Sequence, residues 1–263
     1  MSEIIFDKKD RVATVTFNRP GVKNALSMAM VQDLIRITRE LRDDEDLRVI
    51  LFRGEGPDLS AGADLKDVKE ILTPDPEERR ASQISRVREL SQPIFLTMDE
   101  IKAPIVVSLR GYAIGVATQL VLAADIVVGS VTAKLSMPNV RLAHAPDHGE
   151  SYLLPRKVGT SRAMQIALMA ETISAETAER YGLINYLTAD ADLESRTAEI
   201  VQRLAASPRE AVRQCKALMK GSLNRTYKEQ FEAEVDAAGV CAAHPDLPEA
   251  INAFLERRPA VFA

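Results

Sequence analysis

Apolar and polar positions along the chain follow two different periods, and the change from one to the other predicts an alternation of strands and helices. Two short β-type runs, residues 4–7 and 12–17, flank the polar Lys8-Lys9-Asp10-Arg11 and predict an opening hairpin. Asn18-Arg19-Pro20-Gly21 interrupts regular structure. Ser27 is placed to cap an amphipathic helix through Leu41, because Val31, Leu34, Ile35, Thr38 and Leu41 recur at helical spacing. Apolar strands at 49–52, 105–109 and 126–128 alternate with helical segments, the pattern of an α/β core. The longest apolar stretch, 112–131, contains Gln119, Asp125 and Ser130, and reads as a buried helix (115–124) followed by a buried strand rather than a membrane span.

A long helix is expected over about 77–102, with Pro93 kinking or splitting it. Beyond Gly159 the period is helical: 161–170, 175–181 stopped by Gly182, 193–206, 226–242 and 247–254. Ser207-Pro208-Arg209-Glu210 has the pattern of a capping box with proline at the first helical position. The expected division is an α/β core over 1–200 and a helical region over 201–263.

Composition narrows the function classes. The 263 residues are 46% hydrophobic and 27% charged, with a net charge of -4, so neither disorder nor a global attraction to nucleic acid or an anionic bilayer is expected. Two cysteines, Cys215 and Cys241, lie far apart and read as packed apolar side chains rather than nucleophiles or a disulfide framework. The N-terminal residues have no export-signal pattern, and a cytoplasmic protein is the expectation.

Three loops carry the candidate chemistry. Residues 59–66 and 110–119 each run from a strand through small residues into a helix, whose first N–H groups are free to meet an anion or a developing oxyanion. Residues 138–150 gather His144, Asp147, His148 and Glu150, a set suited to acid/base work. Pro146 separates the two histidines, so they do not share a helix face as zinc ligands at such spacing do, and no metal is expected.

Asn18-Arg19-Pro20 with Lys23-Asn24-Ala25-Leu26, Ser60-Ala61-Gly62-Ala63-Asp64-Leu65-Lys66, Gly111-Tyr112-Ala113-Ile114-Gly115, Ala123-Ala124-Asp125-Ile126, Leu154-Pro155-Arg156-Lys157-Val158-Gly159 and the closing stretch 253–262 occur in one order. Together they resemble the crotonase (enoyl-CoA hydratase/isomerase) superfamily over essentially the whole chain. The resemblance implies a spiral of ββα units, C-terminal helices that build a homotrimer or a dimer of trimers, and an acyl-CoA thioester as substrate, with no cofactor beyond its CoA moiety. It further implies an oxyanion hole made by the backbone N–H groups of Ala63 and Val116. CoA contacts are implied for Lys23, Ala25, Leu26, Ala61, Asp64, Leu65 and Lys66.

Where hydratases of the family carry two glutamates, this chain has Gln119 and Asn139. Neither amide titrates near neutral pH, so two-carboxyl hydration is not expected to run through them. Asp147 falls where isomerase-like members place a catalytic aspartate, and Gln119, Asn139 and His148 are expected to line the substrate pocket. An enoyl-CoA isomerase is the favoured reading. Thioester hydrolysis or retro-Claisen cleavage through Glu150 or His148, and a non-catalytic acyl-CoA binder, remain alternatives.

Overall fold

The computed structural model describes residues 2–70 and 72–263. The predicted hairpin is present: β1 (Ile4–Lys9) pairs antiparallel with β2 (Val12–Phe17). Ser27 caps α1 (Met28–Asp43), its hydroxyl accepting from Met30 N at 3.2 Å, and Met30, Leu34, Ile37 and Leu41 form the buried stripe. After β3 (Val49–Gly54) come the short α2 (Leu65–Glu70) and α3 (Pro76–Arg86). The expected single helix over 77–102 is divided: a π-type turn, Val87–Ser91, separates α3 from α4 (Gln92–Glu100). Pro93 stands in the first turn of α4, where its missing N–H is tolerated, and this places the division before it.

Each subsequent unit sends one strand to a large sheet and the next to a small one. The strands β4 (Ile105–Leu109), β5 (Tyr112–Ile114), β6 (Ile126–Ser130) and β7 (Lys134–Ser136) alternate in this way, with α5 (Val116–Ala123) between β5 and β6. The helices α6 (Glu150–Val158) and α7 (Thr160–Met169) follow, then β8 (Thr172–Ser174), α8 (Ala175–Arg180) and β9 (Tyr186–Thr188). The large sheet has the order β1-β2-β3-β4-β6-β9, parallel from β2 onward, and the small sheet has the order β5-β7-β8. Single bridges, Leu26 with Ala63 and Ser60 with Ala113, continue the small layer. This is the expected spiral of ββα units.

A parallel sheet needs cover on both faces, and the strand residues alternate accordingly. Ile50, Phe52, Ile105, Val107 and Val127 enter the main core with α1, α4 and α5, whereas Val49, Val106 and Val128 face Leu193, Ile200 and Val201 of α9 (Leu193–Ala205). Helix α9 therefore belongs to the α/β core and crosses the expected boundary at residue 200. The helical region begins after it with α10 (Arg209–Gly221), α11 (Tyr227–Ala243) and α12 (Asp246–Glu256).

Two local expectations are corrected, and one further helix is added. The capping box expected at Ser207 does not form, because the Ser207 hydroxyl donates to Arg203 O at 2.8 Å and Pro208 takes the cap position. The complete box is at Thr226 and Glu229. Helix α6 carries Pro155 inside it, which concealed it in the sequence. Cys215 is exposed rather than packed, because α10 turns Arg213 and Lys216 inward instead.

Candidate active site

The first loop of the site is held by a buried asparagine. Asn24 accepts from Arg19 N at 2.7 Å and donates to Glu55 O and Asp58 O at 2.9 and 2.8 Å, while its carbonyl accepts from the Ser60 hydroxyl at 2.7 Å. This clasp lays residues 23–26 along 60–64. Ala61 N donates to Lys23 O, Leu26 N to Gly62 O, and Asp64 N to Leu26 O. The CoA-contact residues expected from the sequence are thus brought together, but with different duties. Leu26 is buried in the core, Asp64 pairs with Arg19 at 3.1 Å, and Leu65 is exposed. Lys23 Nζ stands 4.4 Å from the centroid of the Tyr112 ring, and Lys66 begins the exposed face of α2.

The loop then meets the start of α5. Gly62 has φ +85°, and a β-carbon on it would lie 2.4 Å from Ile114 O and 3.8 Å from Val116 N. Gly115 turns the chain with φ 57°, and the Thr118 hydroxyl fixes the first turn by donating to Ala113 O and Ser136 O at 2.8 and 2.9 Å. Val116 is the first residue of the helix, so its N–H has no intrahelical acceptor. Among the described residues, neither Val116 N–H nor Ala63 N–H donates to any protein acceptor. Two free backbone donors therefore sit on neighbouring segments, one in the loop bridged to Leu26 and the other at the start of α5.

One turn further along α5, Gln119 is buried with its Oε1 unpartnered, and its Nε2 lies 3.1 Å from where a Gly149 β-carbon would stand. Asn139 Oδ1 is also buried without a partner, while its Nδ2 donates to Ala145 O at 3.4 Å. Asp147 is 17% exposed, with Oδ1 2.7 Å from His148 Nδ1 and Oδ2 3.7 Å from His144 Nε2. The contact with His148 is close but not aligned as a hydrogen bond. Glu150 is 1% exposed; its Oε2 accepts from His148 N at 2.9 Å and its Oε1 lies 3.8 Å from Nδ1. The three groups present ligand-type atoms within 4.8 Å of one another. The positive charge of this gathering is supplied by the imidazolium itself.

Burial on its own lowers the pKa of His148, but the carboxylates of Asp147 and Glu150 outweigh it and raise the ring to about 9. Burial pushes Glu150 upward, and His148 with the backbone N–H groups brings it below its ordinary value. Near neutral pH the site therefore holds the His148 cation against the Glu150 carboxylate. A protonated imidazole has no free lone pair, so His148 is not set to act as a base on water.

Sequence reasoning missed the partners supplied by the segment 76–100. Gln83 Nε2 lies 2.9 Å from His144 Nε2 and 3.4 Å from Asp147 Oδ2, Gln92 donates to Asp147 O at 3.3 Å, and the Phe95 ring meets that of His148 edge-on at 6.0 Å. Their helices were legible, but no local signal says which polar residues turn inward. Gln92, Phe95, Gln119 and His148 are among the residues lining a cavity of about 960 Å³.

The model of the enoyl-CoA hydratase/isomerase family matches residues 7–263. The chain belongs to the enoyl-CoA hydratase/isomerase family. It is 28% identical over 260 residues to the crotonyl-CoA hydratase of Syntrophomonas wolfei, covering 98% of this chain and 97% of that protein. It is also 28% identical over 263 residues to the 1,2-epoxyphenylacetyl-CoA isomerase of Escherichia coli, covering 100% and 99%. The solved enoyl-CoA hydratase of Bacillus anthracis superposes with a TM-score of 0.89 at 27% identity, covering 99% of each chain. The family thus joins hydratases and isomerases on one fold, and the choice between them rests on the side chains at the site. Among the described residues, no helix is long and apolar enough to cross a membrane.

Proposed function

We propose that this member of the enoyl-CoA hydratase/isomerase family is an enoyl-CoA isomerase with Asp147 as its single acid/base. The observation that carries the reading is the carboxyl inventory of the site: amides at Gln119 and Asn139, a buried Glu150 taken up by His148 through its backbone N–H and its ring, and a partly buried Asp147 as the other carboxylate. Hydration across a conjugated double bond needs one group to activate water and another to protonate carbon, whereas a double-bond shift needs one group used twice. Asp147 takes the proton from Cα of a 3-enoyl thioester, and the electron pair moves to the thioester oxygen, giving a dienolate. The N–H groups of Ala63 and Val116 donate to that oxygen as its charge develops, a contribution of about 2.7–4 kcal/mol per donor. Protonated Asp147 then returns the proton at Cγ, and the double bond ends conjugated with the carbonyl. Lys23 and Lys66 serve the phosphates of CoA as compact charges.

The test follows the ultraviolet absorbance of the conjugated thioester with a 3-enoyl-CoA and, separately, a 2-enoyl-CoA. A rise with the first is the expected result. A fall with the second, or release of free CoA, would replace isomerisation by hydration or thioester cleavage, and silence in both would leave a binding protein.

We also propose self-association through the C-terminal helices. Tyr227, Phe231 and Val235 of α11 and Phe254 and Leu255 of α12 are 50–83% exposed, a concentration of apolar surface that favours burial against another subunit. Light scattering on purified protein is expected to give the mass of a trimer or of a dimer of trimers. A monomer at micromolar concentration would overturn this.

A further inference from the structure

The cavity lined by Gln119 and His148 is not apolar throughout. Phe95, Leu96, Leu122 and Leu153 give it apolar walls, and Asp125, Lys157, Lys216 and Lys220 also line it. The acids there already have cations: Asp125 Oδ2 lies 2.7 Å from Lys216 Nζ, Asp99 pairs with Lys220, and Glu100 lies 3.2 Å from Arg42. Lys157 differs. Its Nζ donates to Ala124 O at 3.3 Å and, among the described residues, has no carboxylate at ion-pair distance. Among the described residues, Lys157 and Arg156, the latter stacked on the Tyr152 ring, are therefore the cations of the lining without a carboxylate. Burial lowers the pKa of Lys157, with Asp125 only partly opposing it. A partly buried ammonium with a single carbonyl partner has two donors left for an anion.

Resting on the acyl-CoA reading above, we infer that this cavity receives an anionic terminus of the acyl chain, with Lys157 as its partner. The substrate class is then an enoyl thioester whose chain ends in a carboxylate. The apolar wall accommodates the methylenes of the chain. Lys216 does not compete for this role, because Asp125 already neutralises it. A charge-assisted contact in such a site favours the carboxylate-ended chain over the methyl-ended one by tenfold or more.

The experiment measures the affinity of two series of saturated CoA thioesters by calorimetry, so that no turnover is needed. One series carries α,ω-dicarboxylic acids and the other carries monocarboxylic acids of the same lengths. At the best length the dicarboxylic thioester is expected to bind the wild type at least tenfold more tightly. Lys157→Met is expected to remove this preference while keeping the affinity for methyl-ended thioesters, and Lys157→Arg to keep most of it. Equal affinity for both series in the wild type overturns the proposal without any variant, as does a preference that persists in Lys157→Met. Binding of methyl-ended thioesters alone leaves the isomerase reading standing while this inference fails. Binding of neither series removes both.

Discussion

Asp147→Asn is expected to lower kcat for conversion of a 3-enoyl-CoA by about 10²–10⁴-fold, the usual range for loss of a positioned general base. The amide has nearly the same shape, so affinity for a saturated acyl-CoA is expected to change much less than kcat. That split identifies a group that acts on the proton rather than one that shapes the pocket. A second consequence reaches His148. Its raised pKa contributes stability that is complete below about 6.5 and is lost as pH rises through about 9. Removing the Asp147 charge leaves Glu150 as the only carboxylate holding the proton, so the variant is expected to lose that stability at lower pH than the wild type. Denaturation midpoints measured across the alkaline range check this. A variant that keeps more than a tenth of the wild-type kcat sinks the assignment of Asp147 as base, whatever its stability profile.

The parts of the fold that were legible in the sequence are those fixed by local periodicity and capping. Ser27 before an amphipathic run, and β-type runs on either side of Lys8-Lys9-Asp10-Arg11, specify their elements without help from the rest of the chain. Helix α6 was not legible, because Pro155 contradicts a helix locally and tolerance of it depends on the surrounding packing. The short strands of the small sheet were hidden for a related reason. Three-residue elements such as Lys134–Ser136 are defined by their partners and not by their own pattern. At the site, the loops and the titratable group were visible as residue types. Their relation was not, since Asp147 and Gln83 are neighbours only through the packing of α3 against the loop before α6. Glu150 shows the same limit: its place in the sequence cluster is plain, but its burial under His148 is a product of the third dimension.

Gly62→Ala is the second change with a large expected effect, and it tests the backbone donors without altering any titratable group. The φ of +85° is a conformation that an alanine adopts at a cost of about 1–2 kcal/mol. The added methyl would also stand 2.4 Å from Ile114 O, closer than a β-carbon and a carbonyl oxygen can approach, so the 59–64 loop and the start of α5 must separate. The atoms that move are those on either side of Ala63 N and Val116 N. Because oxyanion stabilisation depends on donors fixed in place before the charge appears, misplacing even one lowers kcat by about 10²–10³-fold. The strain term alone predicts a fall in Tm of about 2–8 °C, small enough for the protein to remain folded at assay temperature. A further comparison separates lost donors from general disturbance. The wild type is expected to bind an acyl-CoA thioester more tightly than the matching thioether, which has no carbonyl oxygen, and Gly62→Ala to bind the two alike. A folded variant that keeps both its turnover and its preference for the thioester would show that the oxygen is held elsewhere, and the enolate mechanism would need other donors.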